Sequence, residues 1–199
     1  MVDSEFRFVG GRLSLNFVMT LTGRYRAGGG EERLARAEHL GRWSQAAGLL
    51  AEVPPVRPAD LGRARELREA LHRLLRPDLR DDPQPADVAV VNAWASYGGL
   101  RRVLNDDARS VRLDTRHLVR SCLSEVAFDA VDLLSGAQLA DVRECELGHC
   151  SMLFLDTSRG RRRRWCDMAR CGNQQKAARH RRQGSAVVAE PRPSPDVPG

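Results

Sequence analysis

Four of the five cysteines fall into two pairs of equal spacing: Cys145 and Cys150 enclose ELGH, Cys166 and Cys171 enclose DMAR, and fifteen residues separate the pairs. Two thiolates from each of two turns, with an insert long enough to fold back between them, are what a tetrahedral all-thiolate zinc site needs. Residues five apart on a regular α-helix point about 140° away from each other, so neither pair can chelate from a continuous helix. Gly148 offers the first turn a left-handed position, and Gly172 sits just outside the second pair. His149 and His180 are substitute ligands, but His149 adjoins Cys150 and strains the same chelate ring, so four cysteines make the simpler site. Redox pairing is the alternative for such cysteines.

The second feature is charge. From Arg143 to Arg182 there are eleven basic residues against four acidic ones, so this fifth of the chain carries +7 while the whole carries +6. Zinc with four thiolates has a formal charge of −2, which attracts one or two arginines as donors to sulfur. An extended Arg161–Trp165 strand turns Arg161 and Arg163 to one side and Arg162 and Arg164 to the other, so at most half can serve the metal. The remainder, with Arg159 before them and Lys176, Arg179, Arg181 and Arg182 after the second pair, suit a phosphate backbone. An acidic protein partner is the competing reading.

The insert SMLFLDTSRGRRRRW reads as strand, turn at Ser158-Arg159-Gly160, and strand, and Asn173 is placed to cap a short cationic helix ending near Gln183. Knuckle, hairpin and helix make a treble-clef-like layout. Trp165 reads first as hairpin core and second as a stacking platform for bases.

The elements that carry this module are mostly helical. FRFVGGRLSLNFVMT alternates apolar and polar residues around Gly10-Gly11 as a hairpin or strand does, and AGGGEE reads as a flexible loop. Four helices follow, each with an apolar stripe at 3–4 spacing. The first runs through Leu34, Leu40, Trp43 and Leu50. The second starts at Asp60 as N-cap, with Glu69 and Arg73 as an i,i+4 pair. The third spans Ala86 to Tyr97 with Val88, Val91, Trp94 and Ala95 inward, and the fourth carries Leu118, Cys122, Val126, Ala130 and Leu133. Between the last two, a hairpin turns at Asn105-Asp106-Asp107. Cys122 is a core residue on this reading, and His39, His72 and His117 take surface or cap roles.

The expected fold class is therefore α+β: a mostly helical domain with small β-hairpins over residues 1–140, a four-cysteine zinc finger over 141–183, and a disordered Pro-rich tail over 184–199. At 199 residues and 42% hydrophobic the chain can bury one core and a small second module. The opening MVDSEFRFVGG lacks a signal-like apolar stretch, and no run approaches the ~18 apolar residues of a membrane span, so a cytoplasmic protein is expected. Neither G-x-S-x-G, H-E-x-x-H nor a dinucleotide fingerprint occurs, and no enzyme is expected.

These residues resemble the bacterial CGNR zinc-finger proteins. The resemblance rests on the paired cysteines, Leu153 to Ser158 (LFLDTS), the arginine run, Trp165-Cys166 and Cys171-Gly172-Asn173. GGRLSLNFVMT at 10–20 is similar to the opening of the ABATE domain that accompanies such fingers. The resemblance implies a transcription regulator whose finger binds DNA and whose first domain senses. The sequence departs at Gln174, where the signature has arginine, and at Asn16 and Met19, where it has an acid and an asparagine. The expected nucleic-acid contacts are Arg159, Arg161, Arg162, Arg163, Arg164, Asn173, Gln174, Lys176, Arg179, Arg181 and Arg182, with about five phosphates neutralised. The expected partners are DNA and a second copy through the helical body, with no membrane; the sequence does not specify a small-molecule effector. RNA or ribosome binding stands as the alternative.

Overall fold

Two helices of 18 residues each carry the body, because their sequences repeat apolar residues every three to four positions: α3 (Pro58–Leu75) buries Ala64, Leu67, Leu71 and Leu74, and α5 (Leu118–Ser135) buries Cys122, Val126, Ala130 and Leu133. The computed structural model describes residues 5–114 and 116–187, of which 182–187 by backbone alone. The chain divides by its contacts into two compact units, Met1–Cys166 and Asp167–Gly199.

In chain order the first unit has α1 (Leu13–Val18), a hairpin of β1 (Leu21–Thr22) and β2 (Glu31–Glu32), α2 (Ala37–Ala46), α3, α4 (Pro85–Ala95), a hairpin of β3 (Arg102–Leu104) and β4 (Val111–Leu113), and α5. A 3-10 turn (Ala137–Asp141) then leads into β5 (Val142–Glu144) and β6 (Leu153–Leu155). Each strand pair is antiparallel, and α3, α4 and α5 pack on one another with α1 and α2 against them. Leu15, Phe17, Trp43, Leu71 and Leu123 are fully buried at the centre. The sequence reading of an α+β protein dominated by helix therefore holds.

Four local readings are corrected. Leu13–Val18 is helix, not strand. Its first turn is held from across the fold, where Asp129 of α5 accepts from the Ser14 amide at 2.8 Å and its hydroxyl at 2.5 Å and pairs with Arg12 at 2.9 Å. Asp60 is not the N-cap of α3: Pro58 takes the first helical position, which needs no N–H, and Asp60 in the first turn binds Arg57 at 2.8 Å. Glu69 and Arg73 do not pair, because each has a better partner. Arg73 grips Asp87 at 2.7 and 2.6 Å, and Glu69 binds Arg24 and Arg68. Val88 faces outward at 38% exposure, while Val91 and Trp94 are buried.

His39 and Cys122 match their expected roles. The His39 ring accepts from the Arg36 amide at the start of α2, and Cys122 is fully buried, its thiol pushed up to about 11 by burial. His72 does not match: it is 6% exposed, and its Nε2 has no hydrogen-bond partner among the described residues. Burial pushes its pKa down to about 4; Arg24, Arg76 and Arg73 push the same way, against Glu69. Between pH 6.5 and 4 the unfolded chain takes up a proton at this histidine that the folded chain refuses, so stability must fall as pH falls. We expect up to about 1.4 kcal/mol lost per pH unit in that window. Urea titrations of wild type and His72→Gln at pH 4.5, 5.5 and 6.5 check this, the variant losing the histidine's share of the slope.

Candidate metal centre

The hairpin of β5 and β6 builds the first half of the site. Val142 pairs with Leu155, Arg143 with Phe154 and Glu144 with Leu153, so Cys145 and Cys150 lie in the loop that joins the strands. The Cys145 amide closes that loop on the Met152 carbonyl at 2.9 Å, and the Cys150 amide turns back on Leu147 at 2.6 Å. Gly148 is not among the glycines at positive φ, so the left-handed position expected there is not used. β6 therefore pairs with the strand before the knuckle, not with residues 161–165. Two features turn the chain away after β6. Buried Asp156 accepts from the Ser158 amide at 3.0 Å and the Arg163 amide at 2.8 Å, and Arg161 sits at φ 46°, in left-handed backbone that breaks a strand.

The second pair avoids a regular helix, as its spacing requires, through a turn wider than an α-helix. Met168–Gly172 forms a π-type turn, and the Gly172 amide bonds the Asp167 carbonyl five residues back at 3.2 Å. The cap is Asp167, whose side chain accepts from the Ala169 and Arg170 amides at 2.9 and 3.2 Å. Asn173, expected to be the cap, instead donates its side-chain amide to the Ala169 carbonyl. The cationic helix α6 (Asn173–Val187) follows, four residues longer than expected; residues 188–199 of the proposed tail lie outside the described residues.

All four cysteines are buried, and their sulfurs lie within 4.8 Å of one another, with Cys150 and Cys166 Sγ 3.8 Å apart. Four sulfurs at ~2.3 Å from a tetrahedral zinc are about 3.8 Å apart along each edge, so the donor set has the size of the ion. Its acid–base behaviour agrees. Sulfur hydrogen bonds from Cys150 and then Cys166 hold the Cys145 thiol far below its usual range. The same contact to Cys145 pushes the Cys150 and Cys166 thiols up. Thiolates this crowded repel one another, and a divalent cation among them offsets that repulsion.

That four-sulfur centre meets its counterpart in the comparisons. A model of the ABATE family, whose description reads "Putative stress-induced transcription regulator", matches residues 11–137, and a model described as the CGNR zinc finger matches residues 142–183. The chain belongs to the ABATE family and carries a CGNR zinc finger. No curated protein matches it. Neither family description is that of an enzyme, and among the described residues no helix is long and apolar enough to cross a membrane.

The ABATE body and the start of the CGNR finger share a core. Val142, Leu153 and Leu155 belong to the same buried cluster as Leu15, Trp43 and Leu123. Contact is close at the Gly-Gly pair of the ABATE segment: the Leu155 amide bonds the Gly10 carbonyl at 2.8 Å, and Gly11, at φ +81°, has the Leu155 Cβ 3.3 Å from where its own Cβ would stand. Asn16 accepts from the Gly10 amide at 2.9 Å and so fixes this approach; Met19 is buried.

The arginines of the CGNR finger divide by what they touch. Arg161 pairs with Asp141, Arg164 pairs with Glu146 at 2.6 Å over the half-buried Trp165 ring, and Arg163 lies 4.7 Å over Phe154 while binding the Trp165 and Cys166 carbonyls. The expected alternation of sides does not occur, because the segment is not a strand. Arg159, Arg162, Lys176 and Arg179 are exposed, with no ion pair among the described residues. Arg181, Asn173 and Gln174 are exposed on α6, His149 and His180 stand outside the sulfur cluster, and the Arg182 side chain lies outside the described residues. The acids that engage the arginines, Asp141, Glu146 and Asp156, left no signal in the sequence; Asp167 did, as an N-cap type directly before a helix.

Proposed function

We infer that the protein is a zinc-dependent, DNA-binding transcription regulator of the cytoplasm, in which residues 141–183 contact DNA and residues 1–140 sense and dimerise. One observation carries this reading: four exposed cations near the metal ligands in sequence, Arg159, Arg162, Lys176 and Arg179, have no carboxylate to neutralise them among the described residues, whereas the scaffold engages Arg161, Arg163 and Arg164. Uncompensated guanidinium and ammonium groups favour a phosphate backbone. Asn173 and Gln174 at the start of α6 are the candidates for base contacts. Duplex DNA is favoured over single-stranded RNA because one face of Trp165, the stacking platform such RNA needs, is covered by Arg164. A four-thiolate site leaves no coordination position for water, which supports binding over catalysis. The exposed Leu104–Val111 cross-strand pair of the β3–β4 hairpin, 62% and 56% accessible, supports dimerisation through the body.

With four cations acting, the log of the affinity should fall against log salt with a slope of about −3.6. Arg159→Ala with Arg162→Ala should reduce that slope by about 2, and Arg164→Ala should leave it nearly unchanged. Fluorescence anisotropy with duplex DNA over a salt series measures all three. A slope near zero, or equal losses for Arg164 and Arg162, removes the reading.

A further inference from the structure

A cleft of about 360 Å³ opens on the first unit where α3, α4 and α5 meet the Ala137–Asp141 turn. Its floor is the core itself, Leu74 and Val91, both under 5% exposed, and its walls include Val88 and Val131 at 38% and 36%. Val88 stands on the stripe that the sequence turns inward; it is exposed because the space in front of it is cleft. The cleft has the size of a small-ligand site, at the lower end of the usual ~300–1,000 Å³.

The rim carries a fixed positive charge. Arg80 lines the cleft, and one of its terminal nitrogens is pinned by the Leu139 carbonyl at 2.7 Å. No carboxylate lies within ion-pair distance of this guanidinium among the described residues, although Asp81 and Asp82 follow it in sequence. The neighbouring Arg76 and Arg73, by contrast, are both neutralised, by Asp78 and Asp87. Asn92, on the α4 face that also bears Val88, lines the same cleft, and its side-chain amide makes no hydrogen bond among the described residues. A guanidinium held in place, with donors to spare and an apolar cleft beside it, matches a molecule with a hydrophobic tail and one carboxylate.

We propose that this cleft binds a small apolar organic acid, its tail on Leu74, Val91 and Val131 and its carboxylate on Arg80. The body thereby has a ligand site of its own, independent of whether the finger binds nucleic acid.

The test uses the zinc-loaded full chain without DNA, with octanoate, octanol and octylamine as probes in isothermal titration. Octanoate should bind at least tenfold more tightly than octanol, and octylamine should not bind. Arg80→Gln should bring octanoate to the level of octanol and leave octanol unchanged. Val131→Trp, which fills the cleft, should abolish both, with zinc content and far-ultraviolet circular dichroism as in wild type. If that variant does not fold, Arg80→Gln decides alone. Equal affinity for octanoate and octanol, no binding of octanoate, or octanoate binding unchanged in Arg80→Gln overturns the proposal. So does light scattering that shows a dimer converted to monomer by Val131→Trp, which gives the cleft to a second copy.

Discussion

Removing the metal, by chelation or by Cys166→Ser, is expected to destabilise the helical body as well as the finger. The reason lies in what β5 and β6 bury. Val142, Leu153 and Leu155 are part of the body's own core, and Met152 and Phe154 are also under 2% exposed. Strands of three residues do not hold themselves; this pair is joined by the loop that bears Cys145 and Cys150, and Cys166 closes the segment that follows. Once thiolates this crowded lose their cation they repel or take up protons, and the loop has no other closure of comparable strength. At ~1.5–3 kcal/mol per buried apolar side chain, the three core residues alone account for roughly 5 kcal/mol or more. That is a large part of the ~5–15 kcal/mol by which a domain is stable. Thermal melts followed at the buried Trp43 should therefore shift strongly on chelation, and zinc should restore them. A melt of metal-free protein that superimposes on the zinc-loaded one refutes the coupling.

Arg68→Met is expected to cost about 3 kcal/mol, the largest effect of any single charge in the body. Arg68 is 2% exposed and holds Glu32 through two hydrogen bonds of 2.6 and 2.7 Å, Glu69 through its Nε at 2.9 Å, and the Thr20 hydroxyl at 3.3 Å. For Glu32 burial raises the pKa, but the Arg68 hydrogen bonds and charge, with help from the Leu34 amide and Arg65, outweigh it; the net direction is down. Glu69 is lowered likewise by Arg24 and Arg68 against its burial. Deleting the arginine takes from half-buried Glu32 its main donor and from Glu69 one donor beside the two it keeps from Arg24, a loss of ~3–5 kcal/mol when such groups are fully enclosed. Side-chain exposures of 27% and 32% at the two glutamates put this case at the lower end. Arg68→Lys should recover only part, because an ammonium cannot bridge both acids. Glu32→Gln with Arg68→Met should cost less than the two single changes together, a coupling that urea titration measures directly. A single Arg68→Met within 1 kcal/mol of wild type sinks this account. Because both glutamates sit below their ordinary range, their contribution is present above about pH 4 and is lost as pH falls further.

The amino-acid sequence determined by itself what depends on residue type and spacing along one segment. Four cysteines in equal pairs specify a tetrahedral sulfur site and forbid a regular helix across either pair, and the π-type turn at Met168–Gly172 is how the chain obeys. Stripes at 3–4 spacing placed α3 and α5 and buried Cys122, because a helix exposes its periodicity within a dozen residues. Only the tertiary structure decided which partner each polar group takes. Asp129 makes α1 a helix from 115 residues away, Asp87 takes Arg73 from Glu69, and Asp141 and Glu146 pair with Arg161 and Arg164, which stay exposed. Periodicity is a property of one segment, whereas an ion pair is chosen among all carboxylates the fold brings within a few ångströms. The finger's arginines could therefore be counted from the sequence, but which of them have an acid beside them could be assigned only after the fold had brought those acids close.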